Sequence, residues 1–129
     1  MLDLLLRFST NATSDVVAIL EQCEWEYSCP KRRRANVNIQ WYNVLVSDAE
    51  EFDDQIEEAL MFLEEYRDAL SEVLKRVVEG PILNAGVACE KITTVKSFVF
   101  PPSLVESAAQ FGMSLVISVY KPMPGLSDD

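Results

Sequence analysis

The sequence predicts an α+β fold: a single domain with a mostly antiparallel or mixed sheet of four to five strands, and one long and two short helices packed on one face. Three observations predict it. Apolar and polar residues alternate at the start of the chain, around residues 37–46 and near the C-terminus, which is the two-residue period of a strand with one covered face. Between these stretches apolar residues recur three and four positions apart, the period of an amphipathic helix. The chain has 129 residues and is 49% hydrophobic, the size of one ordinary domain able to fill its core without disulfides or a structural metal. One-sided alternation is commoner in antiparallel or mixed sheets than in a parallel sheet covered on both faces. The domain is expected to span residues 1–121. Residues 122–129 have no period and are expected to form a flexible tail.

Each element follows from its residues. Leu2, Leu4, Leu6 and Phe8 fall on one side of a first strand with Asp3 and Arg7 opposite, although Leu5 interrupts the polar side. Asp3 and Arg7 also break the apolar run, and no basic leader or cleavage site accompanies it, so a strand is expected there and not a signal peptide. Thr13 is placed to cap a short helix whose Val16, Val17, Ile19, Leu20 and Cys23 share a side and which stops before Pro30. Residues 24–34 read as an exposed loop. From Val37 the period is two again, with Val37, Ile39 and Trp41 on one side and Tyr42, Val44 and Val46 on the other. That switch requires either cover on both faces or a bulge near Trp41 and Tyr42.

Ser47-Asp48-Ala49-Glu50 has the form of a capping box and opens the long helix. Its stripe is Phe52, Ile56, Leu60, Leu63, Tyr66, Leu70, Val73 and Val77, and Gly80-Pro81 is the expected stop. Residues 86–100 read as one long strand or a strand pair. Ser103-Leu104-Val105-Glu106 repeats the capping-box pattern ahead of a helix of about two turns that Gly112 ends. Met113, Leu115, Ile117 and Val119 then share one side of a last strand.

Composition narrows the chemistry. The chain has no histidine, which removes Ser-His and Cys-His nucleophile systems, the common zinc sites and an imidazole proton shuttle. It has four glycines and no phosphate-cradling loop, nucleophile elbow or dinucleotide fingerprint, so no cofactor is expected. No calcium loop is present, so no metal is expected either. A hydrolase built on paired carboxylates needs a selected pair, and nothing in the sequence selects one. The protein is therefore expected not to be an enzyme. Cys23, Cys29 and Cys89 form an odd set without a Cys-x-x-Cys spacing. They read as reduced, buried small residues, the alternative being a Cys23–Cys29 redox pair. No window reaches the roughly 20 apolar residues of a membrane span. A cytoplasmic location is expected.

Acidic residues outnumber basic ones 21 to 11, for a net charge of −10. That balance disfavours nucleic acid and anionic membranes as partners. Twelve of the acids lie within residues 48–79, against Arg67, Lys75 and Arg76. Acids at a helix start complement its dipole, but Glu50–Asp54, Asp53–Glu57 and Asp54–Glu58 continue as like charges four apart, each costing roughly 0.2–0.5 kcal/mol. This ridge is either a solvated outer face or a surface for a cationic protein, and Asp53, Asp54, Glu57 and Glu58 are its candidate binding residues. Trp25 and Tyr27, large aromatics in the loop, are candidate rim anchors, with loop packing as their structural alternative. Lys31-Arg32-Arg33-Arg34 is a cluster that either contacts a partner or pairs with the chain's own acids.

The C-terminal two thirds carries a resemblance. Trp41 in a strand before Ser47, the amphipathic helix, and Phe98-Val99-Phe100-Pro101-Pro102-Ser103-Leu104 running into the segment from Phe111 to Tyr120 resemble a bacterial family of small uncharacterised domains over roughly residues 36–121. Some members of that family look like immunity proteins of toxin systems. The resemblance implies no catalytic residues. It implies a binding protein, most concretely an immunity-type inhibitor with a protein partner, possible partners including a basic toxin domain. The competing expectation is a self-associating structural or regulatory module, a homodimer through Trp41, Tyr42 or a sheet edge, whose acidity serves solubility.

Overall fold

Leu4, Leu6 and Phe8 alternate along strand β1 (Leu4–Asn11) and are all buried, because β1 is the middle strand of a five-stranded sheet. The computed structural model describes residues 1–30, 38–88 and 97–120. Along the chain follow α1 (Val16–Gln22), β2 (Tyr27–Ser28), β3 (Ile39–Ser47), α2 (Phe52–Glu65), α3 (Arg67–Leu74), β4 (Val77–Ala88), α4 (Pro102–Gln110) and β5 (Ser114–Tyr120). The strand order is β2-β3-β1-β4-β5. All neighbours are antiparallel except β4 and β5, which are parallel and are connected through α4, as parallel neighbours require a crossover.

Register places Leu6 opposite both Val44 and Leu83, Phe8 opposite Tyr42, and Leu83 opposite Leu115. These residues share one face and form a single core with Val16 and Leu20 of α1, Ile56, Ala59, Phe62 and Leu63 of α2, Leu70 and Val73 of α3, and Leu104 and Ala108 of α4. Leu5, Trp41, Leu45, Ile82 and Val116 occupy the opposite face and take no part in that core. The fold is thus α+β with a mixed sheet.

Several local expectations are corrected. The long helix is two helices. At Tyr66 (φ −105°, ψ 26°) the chain leaves helical geometry; α2 packs on β3 and α4, whereas α3 packs on α1 and β4. Phe62 and Tyr66 fill the break together, their ring centroids 5.0 Å apart. Gly80-Pro81 does not end a helix; it lies inside β4, and Val77 belongs to that strand. The reason is long-range. Gly80 has φ +93°, and a Cβ there would stand 2.9 Å from the Arg7 carbonyl oxygen, so only glycine lets β4 approach β1 this closely. Ser9 Oγ accepts the Glu79 amide at 3.0 Å where the pairing shifts. Of the expected 86–100 stretch, residues 86–88 are the end of β4, residues 89–96 lie outside the described residues, and Phe98 and Phe100, which are not in a strand, turn onto Phe52.

Neither capping box forms. Ser47 is still the last residue of β3; its hydroxyl donates to Glu58 Oε2 at 2.9 Å and accepts the Ala49 amide at 3.2 Å. The start of α2 is tied down by the fully buried Gln55, whose Nε2 donates to the carbonyls of Ala49 (3.0 Å) and Leu2 (2.6 Å). At α4 the N-cap is Pro101 and Pro102 follows at the first helical position, where its missing N–H costs nothing. Ser14, not Thr13, serves α1, accepting the Val16 amide at 3.1 Å. The β1–β3 pairing runs without a break past Trp41 and Tyr42. Its irregularity lies between Leu4 and Leu5, where Val46 is the extra residue. Val37 and residues 122–129 lie outside the described residues.

Candidate functional site

Helix α2 has one face in the core and one in water. Gln55, Ile56, Ala59, Phe62 and Leu63 are buried, while Asp53, Asp54, Glu57, Glu58, Met61, Glu64 and Glu65 are exposed. With about 100° per residue, Met61 falls almost diametrically opposite the buried side, with Asp54 and Glu57 to either side of it and Glu58, Glu64 and Glu65 within a turn. Its side chain is 63% exposed. An apolar centre inside a charged rim is the usual anatomy of a protein-binding patch.

All four acidic candidates therefore stand on the outer face. Ion pairs among the described residues join Glu64 to Arg67, Glu72 to Lys75 and Asp15 to Arg76. None involves Asp53, Asp54, Glu57 or Glu58, and Arg7 is engaged by Asn43 at 3.1 Å. Glu58 differs from the other three because it accepts the Ser47 hydroxyl, which links the ridge to the end of β3. Lys31-Arg34 lies outside the described residues.

The expectation of Trp25 as a rim anchor is corrected. Trp25 is 7% exposed, with its ring 5.2 Å from Phe62 and edge-on to Tyr66 at 5.2 Å. The loop packs inward because an indole loses more by staying wet than the loop loses by folding over it. Tyr27 is half-buried. Its ring lies 6.3 Å from Tyr42 and its hydroxyl donates to Glu21 at 3.5 Å; burial and the Glu21 carboxylate push that hydroxyl's pKa up. Tyr42 itself is buried against Phe8 and offers no free surface. Cys23 is half-buried and Cys29 exposed, both as free thiols, and burial raises the Cys23 pKa. The exposed Cys29 departs from the expectation of buried cysteines, and Cys89 lies outside the described residues.

Tertiary packing adds residues that the sequence reading missed. Glu24 and Glu26 meet Asp48 and Glu58 around an open cleft of about 250 Å³ whose wall includes Trp25, Phe62 and Tyr66. At the other end of α2, Phe52 packs edge-on to Phe98 (5.2 Å) and against Phe100 (5.7 Å), beside Val99, which is 74% exposed. Glu51, Asp53, Ser97 and Val99 complete a second cleft of about 330 Å³ there. Helical spacing alone could have found Met61; nothing local pairs Glu24 with Glu58 or Phe98 with Phe52. The surface so assembled can hold cationic groups at its rim and apolar side chains at its centre and end. Among the described residues no group of three or more Cys, Asp or Glu is placed to hold a metal ion. Among the described residues no helix is long and apolar enough to cross a membrane.

No family model, curated protein or solved structure matches the chain.

Proposed function

We propose that this protein is a non-enzymatic acidic binding protein, specifically an immunity-type inhibitor that neutralises a bacterial toxin in the cytoplasm by occluding its active site or substrate cleft. One observation carries the reading: Asp53, Asp54, Glu57 and Glu58 stand exposed around Met61 with no basic partner among the described residues. Like charges four apart on one helix face cost stability, and a cationic partner offsets that cost by forming ion pairs with them. The face also steers a basic partner toward contact, speeding association. A stoichiometric inhibitor needs shape and charge but no nucleophile, which suits a chain without histidine. The inhibitor role in particular rests on the resemblance of residues 36–121; the binding role rests on the helix face.

The test is affinity capture from bacterial lysate at about 50 mM and about 500 mM salt, with wild type and with Asp53→Lys/Asp54→Lys/Glu57→Lys. Glu58 is left in place because its bond to Ser47 is structural. The expected result is a basic protein retained by wild type at low salt, released at high salt and at least about tenfold weaker on the variant. Equal capture by both proteins would remove the acidic face from the proposal. A captured protein whose activity is unchanged by added wild type would remove the inhibitor role.

A further inference from the structure

We infer that the outer edge of β5 is a self-association site, which pairs antiparallel with β5 of a second copy of this chain. The sheet ends at β5, whose outer edge pairs with no described strand. An unpaired edge is a template for another strand unless it is short, bulged, charged or interrupted by proline. Within Ser114–Tyr120 β5 has none of these protections; Lys121 and Pro122, next in the sequence, lie outside the described residues. It is seven residues long, Ser114-Leu115-Val116-Ile117-Ser118-Val119-Tyr120, without a charge or proline, and its pairing with β4 runs in unbroken register. At the other edge β2 is two residues long.

Charge admits a second copy at this edge, and the strand's match to itself makes that copy the occupant. Two chains of net charge −10 repel each other over most of their surfaces, so a like partner can be tolerated only where the charge is absent. From Pro102 to Tyr120 the only charged residue is Glu106, and β5 carries three of the molecule's exposed large apolar side chains: Val116, Val119 (61% exposed) and Tyr120 (51%). The strand also matches itself. With a two-fold axis through Ile117, perpendicular to the sheet, Ile117 meets Ile117, Val116 meets Ser118, Leu115 meets Val119, and Ser114 meets Tyr120. Every pair stays on its own face of the sheet, and β-branched and aromatic side chains cover one another without like charges opposed. This pairing does not use the acidic face of α2, and its salt dependence has the opposite sign: screening weakens capture of a cationic partner but strengthens association of two anions.

The experiment is sedimentation equilibrium of the reduced protein from about 10 µM to about 1 mM, at about 50 mM and 500 mM sodium chloride. The expected result is a monomer–dimer equilibrium whose dissociation constant falls at least about threefold at the higher salt, and rises at least about tenfold in Val116→Lys/Val119→Lys with an unchanged circular dichroism spectrum. Hydrogen exchange of the wild type serves if that variant does not fold: the alternate β5 amides pointing away from β4 should gain protection as protein concentration rises. A monomer under every condition, a dimer weakened by salt, a dimer indifferent to both lysines, or β5 amides equally protected at all concentrations would each overturn the inference. The last would mean that the edge is covered within the monomer.

Discussion

Replacing Trp25 with alanine should cost about 3–5 kcal/mol of stability, the range for deleting a large buried aromatic. The ring packs against both Phe62 and Tyr66, which also touch each other, and truncation leaves a cavity where the loop meets the helix break. Trp25→Phe should cost much less, because the indole Nε1 is buried with no hydrogen-bond partner among the described residues and phenylalanine removes that orphan donor. Urea unfolding of both variants checks the pair, with Tyr27→Ala as a milder comparison. A Trp25→Ala protein as stable as wild type would return Trp25 to the surface. Gly80 is the complementary case, a residue fixed by what it lacks: a side chain there would run into the backbone of Arg7 and Phe8.

Two ion-paired helices show how an element is held from outside itself. Arg76, just after α3, donates through Nε to Asp15 at the start of α1 and through Nη1 to the Glu72 carbonyl at 2.7 Å. The guanidinium holds the Asp15 carboxyl below its ordinary value of 3.8, chiefly through that hydrogen bond. Asp15 therefore binds its proton less readily in the folded protein than in the unfolded chain, so its contribution is present above the ordinary value and is lost as pH falls through the depressed one. Arg76→Met should lower the melting temperature at pH 7, and the gap from wild type should narrow as pH drops below about 3.8. A gap that is constant from pH 7 to about 2 would show that the pair contributes nothing through charge.

At the scale of the molecule, net charge sets the behaviour. With −10 on one domain, and much of it along α2, self-repulsion opposes compactness, so raising sodium chloride from about 10 mM to about 500 mM should raise the melting temperature. A flat or falling profile would mean that the acids are already neutralised within the chain. If copies join through β5, the axis perpendicular to the sheet keeps both helical layers on one side, and the dimer displays two acidic α2 faces in the same direction. Capture of a cationic partner would then depend on two opposed salt effects, separable by the β5 lysine variant.

The sequence by itself determined part of what the elements bury: Leu4, Leu6 and Phe8 on β1, Ile56 and Leu63 on α2, Leu70 and Val73 on α3, but not Gln55, Ala59 or Phe62 of α2. Those faces follow from periods of two and 3.6, which are properties of local chain geometry. It also determined the acidic composition and the exposure of Asp53, Asp54 and Glu57, since a residue opposite a buried stripe can only face water. Tertiary structure decided the rest. Residues 77–81 became strand because β1 offered them hydrogen bonds from about 70 positions away, outweighing the stop signal of Gly80-Pro81. The two capping serines lost their expected partners because Ser47 remained in the sheet and prolines occupied the start of α4. Trp25 turned inward, and Glu24 and Glu26 joined Glu58, because contacts between distant segments depend on how layers meet, and no local period records that.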